Sequence, residues 1–418
     1  MESPRGRARI TGSLGCAIVL ACGGGGGGAE DGASDGGSEG GSTTPSTSSA
    51  STSATTPSTG TDSTASSVDS SGDSSSASTS SGDSGTSEGS TAGESTTGGC
   101  VTPPDDPPAR VTGTVENVVD HDCPAGAPPG ASCQQMIVSC PDVPDLGAQV
   151  AVTEPAREAV GTVVMLFGGG GTQFFDEGFP EEYTDAGLRV VQLVFPSVWE
   201  EEPNGSIKAA ACRVATLVEW AFAEPHGGSR ETGFCAHMHS GGSGALGYTL
   251  AHYDGDAFLD YAQVDAGPVF GRIDHGCDPQ ATGLGTTTRF VCDDLPDGPF
   301  VYGGASALIN GWENTQTCGA PYGDASPADV MQWEADSVVS PGADYDYPQT
   351  EVGFWYCAND ANEAAGQGSW YVDEVTSSKS VNCVTGRCQV EPPWSDPQGF
   401  ADMVAAMSEQ CVPRHCPE

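Results

Sequence analysis

A long low-complexity segment, residues 23–99, limits how much of this chain can fold into a compact domain. It consists of Gly, Ser, Thr and Ala with scattered Asp and Glu, and it contains no Lys, Arg or aromatic residue. Such a segment cannot bury enough apolar surface to offset the entropy of ordering its backbone. We therefore expect a disordered, flexible tether here, with a reach of about 50 Å. One folded domain is then expected over residues 100–418.

Residues 1–22 have the pattern of an export signal. Arg5, Arg7 and Arg9 precede a short apolar run that ends in small residues. The run is too short for a stable membrane-spanning helix. Residues 19–22, Val-Leu-Ala-Cys, resemble the bacterial lipobox, in which the cysteine becomes the acylated first residue of the mature protein. The alternative is ordinary secretory cleavage, with Cys22 as a chance thiol.

Cysteine usage agrees with an extracytoplasmic location. Of the 16 cysteines, Cys16 would be lost with the signal and Cys22 would carry lipid, which leaves an even number from Cys100 to Cys416. This predicts a disulfide framework whose connectivity stays open. The closest spacings, Cys383 with Cys388 and Cys411 with Cys416, do not match zinc sites. Neither a metal nor another cofactor is expected.

The charge balance excludes several classes of partner. The chain carries 57 acidic against 14 basic residues, for a net charge of −43. Such a surface repels nucleic acid and anionic lipid. Membrane contact is therefore expected through the acylated N-terminus alone, and by resemblance Gly23 after the lipobox cysteine points to the outer membrane. The oligomeric state stays open.

Within the predicted domain, apolar β-rich runs alternate with helical patterns, which is typical of an α/β fold with a mostly parallel central sheet flanked by helices. We predict an opening hairpin from 135–138 to 150–152, strands at 160–167, 188–195, 233–238, 258–264, 352–357 and 379–384, and helices at 207–222, 241–253 and 397–409. Residues 271–347 are Gly/Pro-rich, contain three cysteines and show no clean period. They are interpreted as an insertion or lid.

The strongest chemical motif follows the strand at 233–238 and reads His-Ser-Gly-Gly-Ser-Gly over residues 239–244. A serine directly after a strand, with small residues crowded behind it, resembles the nucleophile elbow of the α/β-hydrolase family of esterases and lipases. Ser240 is the predicted nucleophile, and Ser243, one turn into the helix, is the rival. Met238 departs from the pattern, because the family usually has Gly two residues before the serine.

A second motif supports the resemblance. Residues 168–171 are four glycines after an earlier buried strand. In this family, a glycine loop at that place supplies a backbone N–H to the oxyanion hole, and the residue after the nucleophile supplies another. By resemblance the donors are Gly169 or Gly170 together with Gly241. The catalytic acid is expected at Asp360, just past the strand at 352–357, although an aspartate there could equally begin a turn.

The expected catalytic histidine is missing. The family places it in the loop between the last strand and the last helix, but residues 385–396 contain no histidine, and Glu391 stands near its place. Other imidazoles are His275 in the insertion, His415 near the C-terminus, and His237 and His239 beside the elbow. We rank His275 ahead of His415. Of the flanking pair, His239 is expected to line the pocket without reaching Ser240 productively.

Two functional hypotheses follow. The first is a cell-surface serine hydrolase that acts on small or lipid-like carboxylic esters through Ser240, Asp360 and the glycine loop. The second is a catalytically inactive α/β-hydrolase-like binding module, because fold and activity are separable.

Overall fold

The computed structural model describes residues 112–414, apart from 177, 202–205, 279–291, 293–305, 314, 320–321, 359–362 and 386–391. The predicted signal, the predicted tether and Cys22 lie outside the described residues, as do Asp360, Glu391 and His415.

Nine strands form one mixed sheet in the spatial order β1-β2-β3-β5-β4-β6-β7-β8-β9. Their bounds are β1 Thr114–His121, β2 Ser132–Cys140, β3 Val143–Thr153, β4 Gly161–Leu166, β5 Leu188–Val194, β6 Gly233–His239, β7 Tyr261–Asp265, β8 Glu351–Cys357 and β9 Lys379–Val384. The first three pairings from the β1 edge are antiparallel, and the six strands from β4 to β9 are parallel to one another. The predicted α/β class with a mostly parallel sheet and an opening hairpin is thereby confirmed.

Helices cover both faces of the sheet. They are α1 Phe179–Ala186, α2 Ile207–Ala223, α3 Gly241–His252, α4 Ile273–Cys277, α5 Ser306–Trp312, α6 Pro327–Asp336, α7 Glu363–Glu374 and α8 Pro397–Gln410. Successive strand side chains point to opposite faces. Val164 and Leu166 of β4 therefore join the core under α2 and α3, whereas Val163 and Met165 join the core under α1 and α8. No helix in the described part of the chain is long and apolar enough to cross a membrane.

Five disulfides join described residues, as expected for an exported chain. They are Cys123–Cys133, Cys140–Cys212, Cys235–Cys411, Cys277–Cys318 and Cys292–Cys383. Cys235–Cys411 ties the middle of β6 to the residue after α8. Cys292–Cys383 ties the predicted insertion to β9. Three of the bridges, Cys140–Cys212, Cys235–Cys411 and Cys292–Cys383, thus connect a strand of the sheet to a part of the chain that is distant in sequence.

Some elements differ from the prediction. Strand β7 begins at Tyr261 because residues 255–257 form a short 3-10 helix first. The region 271–347, where no period was visible, contains α4, α5 and α6, and α4 has only five residues, too few to display a helical pattern. Strand β1 was not predicted. Its side chains are almost all exposed, since it pairs only with β2, so no apolar alternation marks it.

Candidate functional site

The candidate site lies at the carboxyl ends of β4 and β6. The chain runs from β4 to β5 on one side and returns to β6 on the other side of β4. Such a switch in direction leaves a crevice outside the carboxyl ends of the strands. The predicted glycine loop follows β4 and Ser240 follows β6, so the fold brings the two motifs together. A Cβ on Gly168 would lie 2.9 Å from Ser240 Cβ.

Ser240 occupies a strained turn. Its backbone has φ 49° and ψ −116°, a conformation that side-chain-bearing residues rarely adopt and that costs on the order of 1–3 kcal/mol. The Ser240 N–H donates to the carbonyl of Asp265 at 2.9 Å, and the Ser240 carbonyl accepts from the Gly244 N–H at 3.1 Å. Strand β6 therefore passes into α3 across a single residue. The half-buried Ser240 is held above the strand end, and its Oγ forms no hydrogen bond to a described residue.

The glycines after Ser240 allow α3 to pack directly on β4. A Cβ on Gly242 would lie 2.5 Å from the carbonyl oxygen of Leu166, a contact that backbone atoms cannot relieve without shifting the helix. Met238, at the position where the family usually has glycine, is fully buried in the core under α2 and α3. Its side chain therefore points away from the turn, and the departure in sequence leaves the turn intact.

Ser243 is placed poorly for nucleophilic attack. It is fully buried in the first turn of α3, and its hydroxyl donates to the carbonyl of Ser240 at 2.5 Å. A Cβ on Gly267 would lie 1.8 Å from Ser243 Oγ, so Gly267 closes over this oxygen. The geometry favours Ser240 over its rival.

The amide nitrogens of Gly169 and Gly170, two of the predicted oxyanion donors, lie close to Gly241. Gly169, Gly170 and Gly171 have φ values of 62°, 83° and 71°, which only glycine adopts without strain. A Cβ on Gly241 would lie 3.2 Å from the Gly170 nitrogen and 3.3 Å from the Gly169 nitrogen. These two amides form no hydrogen bond to another described residue. Preorganised free N–H groups of this kind can stabilise charge that develops on a substrate oxygen.

A buried carboxyl group borders the same glycines. Glu200 Oε1 lies 3.5 Å from the Cβ position of Gly241, and Glu200 Oε2 lies 3.0 Å from that of Gly170. The residue is 3% exposed, and Oε2 has no hydrogen-bond partner among the described residues. Burial raises the pKa of Glu200 to about 8. At neutral pH the group is therefore protonated, and it places no negative charge beside the free amides.

The loop that carries Glu200 is fixed by buried hydrogen bonds. The Trp199 N–H donates to the carbonyl of Gly170 at 3.0 Å. The guanidinium of Arg213, in α2, donates to the carbonyls of Trp199 and Pro144, each at 2.8 Å. Arg213 is 1% exposed, so these bonds are shielded from water. The position of Glu200 against the glycine loop thus depends on α2.

A histidine–aspartate pair stands beside Ser240. The Nδ1 of His239, the last residue of β6, lies 3.1 Å from Oδ2 of Asp265, the last residue of β7. Asp265 is fully buried and His239 nearly so. The His239 ring packs against Trp394 at 4.2 Å and Phe167 at 5.6 Å between centroids. Carboxylate and aromatic rings together fix the orientation of this imidazole.

This pair was not among the predicted catalytic residues. His239 was expected only to line the pocket, and Asp265 directly follows the strand that was expected at 258–264. The available signal was that a histidine and an aspartate end two consecutive parallel strands, whose carboxyl ends meet at one edge of the sheet.

The other predicted site residues are placed as follows. His275, in α4, is buried with its ring 4.5 Å from that of Trp370 in α7, and its Nε2 lies 3.8 Å from Asp274 Oδ2. It forms no hydrogen bond with Ser240. Asp360 and Glu391 fall outside the described residues, so their predicted roles stay predictions.

No family model and no curated protein matches the sequence. Similar solved structures include acetyl xylan esterase 1 from Thermoanaerobacterium sp., at 12% identity over 72% of this chain and 89% of that chain, with a TM-score of 0.47. Brefeldin A esterase, a bacterial homologue of human hormone-sensitive lipase, is 16% identical over 71% of this chain and 80% of its own, with a TM-score of 0.42. An acetyl xylan esterase from a Paenibacillus species is 11% identical over 70% and 88%, with a TM-score of 0.41.

Proposed function

We propose that this protein is a serine hydrolase that cleaves carboxylic esters. The observation that carries the proposal is the placement of Ser240 at a strained turn opposite two free amides, those of Gly169 and Gly170. In this reaction the Ser240 oxygen attacks the ester carbonyl carbon, and the carbonyl oxygen becomes an oxyanion. Amides aimed at that oxygen stabilise the transition state more than the ground state, which is what accelerates the step.

Gly241 belongs to the same arrangement. As the residue after the nucleophile, it presents its N–H from the first turn of α3, where the helix has no backbone acceptor for it. The absence of a Cβ leaves the space between Gly241 and the glycine loop open to a substrate oxygen. The neutral form of Glu200 is required next to this space, because a carboxylate would repel the oxyanion.

A fluorophosphonate probe tests the nucleophile. The wild-type protein should be labelled at Ser240, and Ser240→Ala should abolish both the labelling and the hydrolysis of p-nitrophenyl acetate and butyrate. Ser243→Ala is the matched control, because it removes a hydroxyl from the same turn of helix, and it should remain labelled. A folded wild-type protein that is not labelled would contradict the proposal.

The binding-module hypothesis remains the second candidate, because the loop at 385–396 contains no histidine. It predicts that p-nitrophenyl esters turn over no faster with wild-type protein than with Ser240→Ala. Turnover that depends on Ser240 would exclude it.

We further propose that the domain is held at the cell surface by an acylated Cys22. The five disulfides suit an oxidising compartment outside the cytoplasm. In a bacterial host, wild-type protein should incorporate radiolabelled palmitate and sediment with membranes, and Cys22→Ala should do neither. Equal sedimentation of both forms would refute the anchor.

A further inference from the structure

The proposed reaction needs a general base, and the placement of the histidines narrows the choice. A serine hydroxyl is a poor nucleophile unless a neighbouring group accepts its proton. The structure describes six of the seven histidines. Four lie away from Ser240: His121 is exposed on the edge strand β1, His226 contacts Thr162 at the opposite end of β4, His252 contacts Val338 at the end of α3, and His275 packs on Trp370. The other two are on β6, where His237 is fully buried and His239 precedes Ser240. His239 alone among these six adjoins the elbow serine and also touches a carboxylate while keeping part of its ring exposed.

The contact with Asp265 assigns the tautomer of His239. A carboxylate accepts hydrogen bonds, so the Nδ1 that lies 3.1 Å from Asp265 Oδ2 carries the proton. In the neutral ring with this tautomer the other nitrogen, Nε2, is the acceptor, and it forms no hydrogen bond to a described residue. This is the state that a general base requires before it takes a proton.

His239 and Ser240 face the same small space. A Cβ on Gly168 would lie 2.9 Å from Ser240 Cβ, 3.0 Å from His239 Cδ2 and 3.5 Å from His239 Nε2. The serine side chain and the free edge of the imidazole therefore border one point above Gly168. The Ser240 hydroxyl has no hydrogen-bond partner among the described residues, so rotation about its Cα–Cβ bond can direct it towards this point. Catalytic hydrogen bonds are commonly longer without substrate than with it.

A second histidine, His237, also lies against the carboxylate of Asp265. His237 lies on the same face of β6 as His239, and its Nε2 is 3.5 Å from Asp265 Oδ2. Its Nδ1 lies 2.9 Å from the hydroxyl of Tyr183 in α1, which accepts from the Gln263 amide at 3.2 Å. Burial lowers the pKa of His237. A lowered pKa favours the neutral form of His237, which lies against Asp265 without cancelling the negative charge of the carboxylate.

We propose that His239 is the general base and Asp265 its carboxylate partner, with His237 and Tyr183 as positioning residues. The proposal rests on the proposed function of Ser240 and replaces the missing loop histidine. As the bond forms between Ser240 Oγ and the ester carbonyl carbon, His239 Nε2 takes the hydroxyl proton and the carbonyl π electrons move to the oxygen. The proton then passes to the departing alkoxide as the ester C–O bond breaks. Water repeats both steps to release the acid and restore Ser240.

The test measures fluorophosphonate labelling rate and ester kinetics on the folded domain with its disulfides intact. His239→Ala should lower both the labelling rate and kcat by about 10²–10⁴-fold with little change in KM, the range for loss of one general acid–base group. Exogenous imidazole should restore part of the rate by occupying the vacated space. Asp265→Asn should lower kcat as well, and it serves as the second variant if His239→Ala does not fold.

The rival residues are tested in parallel. His275→Gln and His252→Gln, at histidines that form no hydrogen bond with Ser240, should each keep a labelling rate within a few-fold of wild type. A wild-type protein that labels at Ser240 while folded His239→Ala and Asp265→Asn label at the same rate would overturn the assignment of the base and leave the serine hydrolase standing. Absence of labelling in the wild type would instead overturn the proposed function.

A double-variant comparison separates positioning from simple packing. Tyr183→Phe keeps the ring and removes only the hydroxyl that contacts His237, so it should lower kcat by a few-fold and leave KM unchanged. In the His239→Ala background the same change should have no further effect on the rate, because the base through which it acts is gone. Equal losses in both backgrounds would show that Tyr183 acts independently of His239.

Discussion

The buried carboxyl of Glu200 makes the stability of this protein depend on pH in a direction opposite to that of most acidic residues. Its ordinary pKa of 4.5 is raised by burial to about 8 in the folded state. Between these values the unfolded chain releases a proton that the folded protein keeps. Stability therefore falls as pH rises through this window. Replacement by the neutral isostere, Glu200→Gln, removes this dependence.

The magnitude follows from the two pKa values. Between pH 4.5 and pH 8 the free energy of unfolding falls by up to about 1.4 kcal/mol per pH unit, and the fall levels off near the folded pKa. From pH 6 to pH 8 the contribution amounts to about 2 kcal/mol. Burial also raises the pKa of Glu313 to about 9, but Glu313 is present in both proteins and its effect cancels in the comparison.

Urea unfolding at pH 5, 6, 7 and 8, followed by tryptophan fluorescence with the disulfides intact, measures the difference. Wild type should lose about 2 kcal/mol more than Glu200→Gln between pH 6 and 8. Glu201→Gln, the exposed neighbour, is the control and should follow wild type. Ester turnover should also fall in wild type as pH passes 8, and fall less in Glu200→Gln. Parallel stability curves for wild type and Glu200→Gln would show that the pKa of Glu200 is not raised in the folded protein.

Three further changes test the fold around the site. Alanine substitution of both cysteines of Cys235–Cys411 opens a loop of 176 residues and should lower the free energy of unfolding by about 5 kcal/mol. The same change at Cys123–Cys133, with a separation of 10, should lower it by about 3 kcal/mol. Urea unfolding of each variant measures both values, and equal losses would contradict the dependence on loop length. Gly241→Ala, whose Cβ would lie 3.2 Å from the Gly170 nitrogen, should reduce ester turnover about 10²–10³-fold with a smaller loss of stability than Gly242→Ala. Gly242→Ala, which meets backbone at 2.5 Å, should cost at least about 1–3 kcal/mol, and the reverse order would place the oxyanion donors elsewhere. Arg213→Met removes the guanidinium donor to the carbonyls of Trp199 and Pro144 and should lower the free energy of unfolding in urea by about 2–4 kcal/mol. An unchanged free energy of unfolding would show that water replaces the guanidinium.

Much of the architecture was readable from the sequence, because the parallel strands are buried on both faces and appear as continuous apolar runs. Residues 160–167 and 188–195 differ from β4 and β5 only at their ends. The turn at Ser240 could also be predicted locally, since a strand, a serine and closely spaced glycines are consecutive in the chain. The edge strand β1 and the short helix α4 were not predicted, since neither carries a periodic apolar pattern.

The strand–turn–helix around Ser240 and the glycine loop after β4 follow from the sequence alone, because each depends on neighbours along the chain. Tertiary structure decided which groups meet there. Asp265 is 26 residues from His239, and it reaches the imidazole because β6 and β7 are parallel neighbours whose ends coincide. Glu200 is 41 residues from Gly241, and its protonation depends on burial that no local pattern encodes. Contacts between strand ends are set by the order of strands in the sheet, which only the packing of the whole chain fixes.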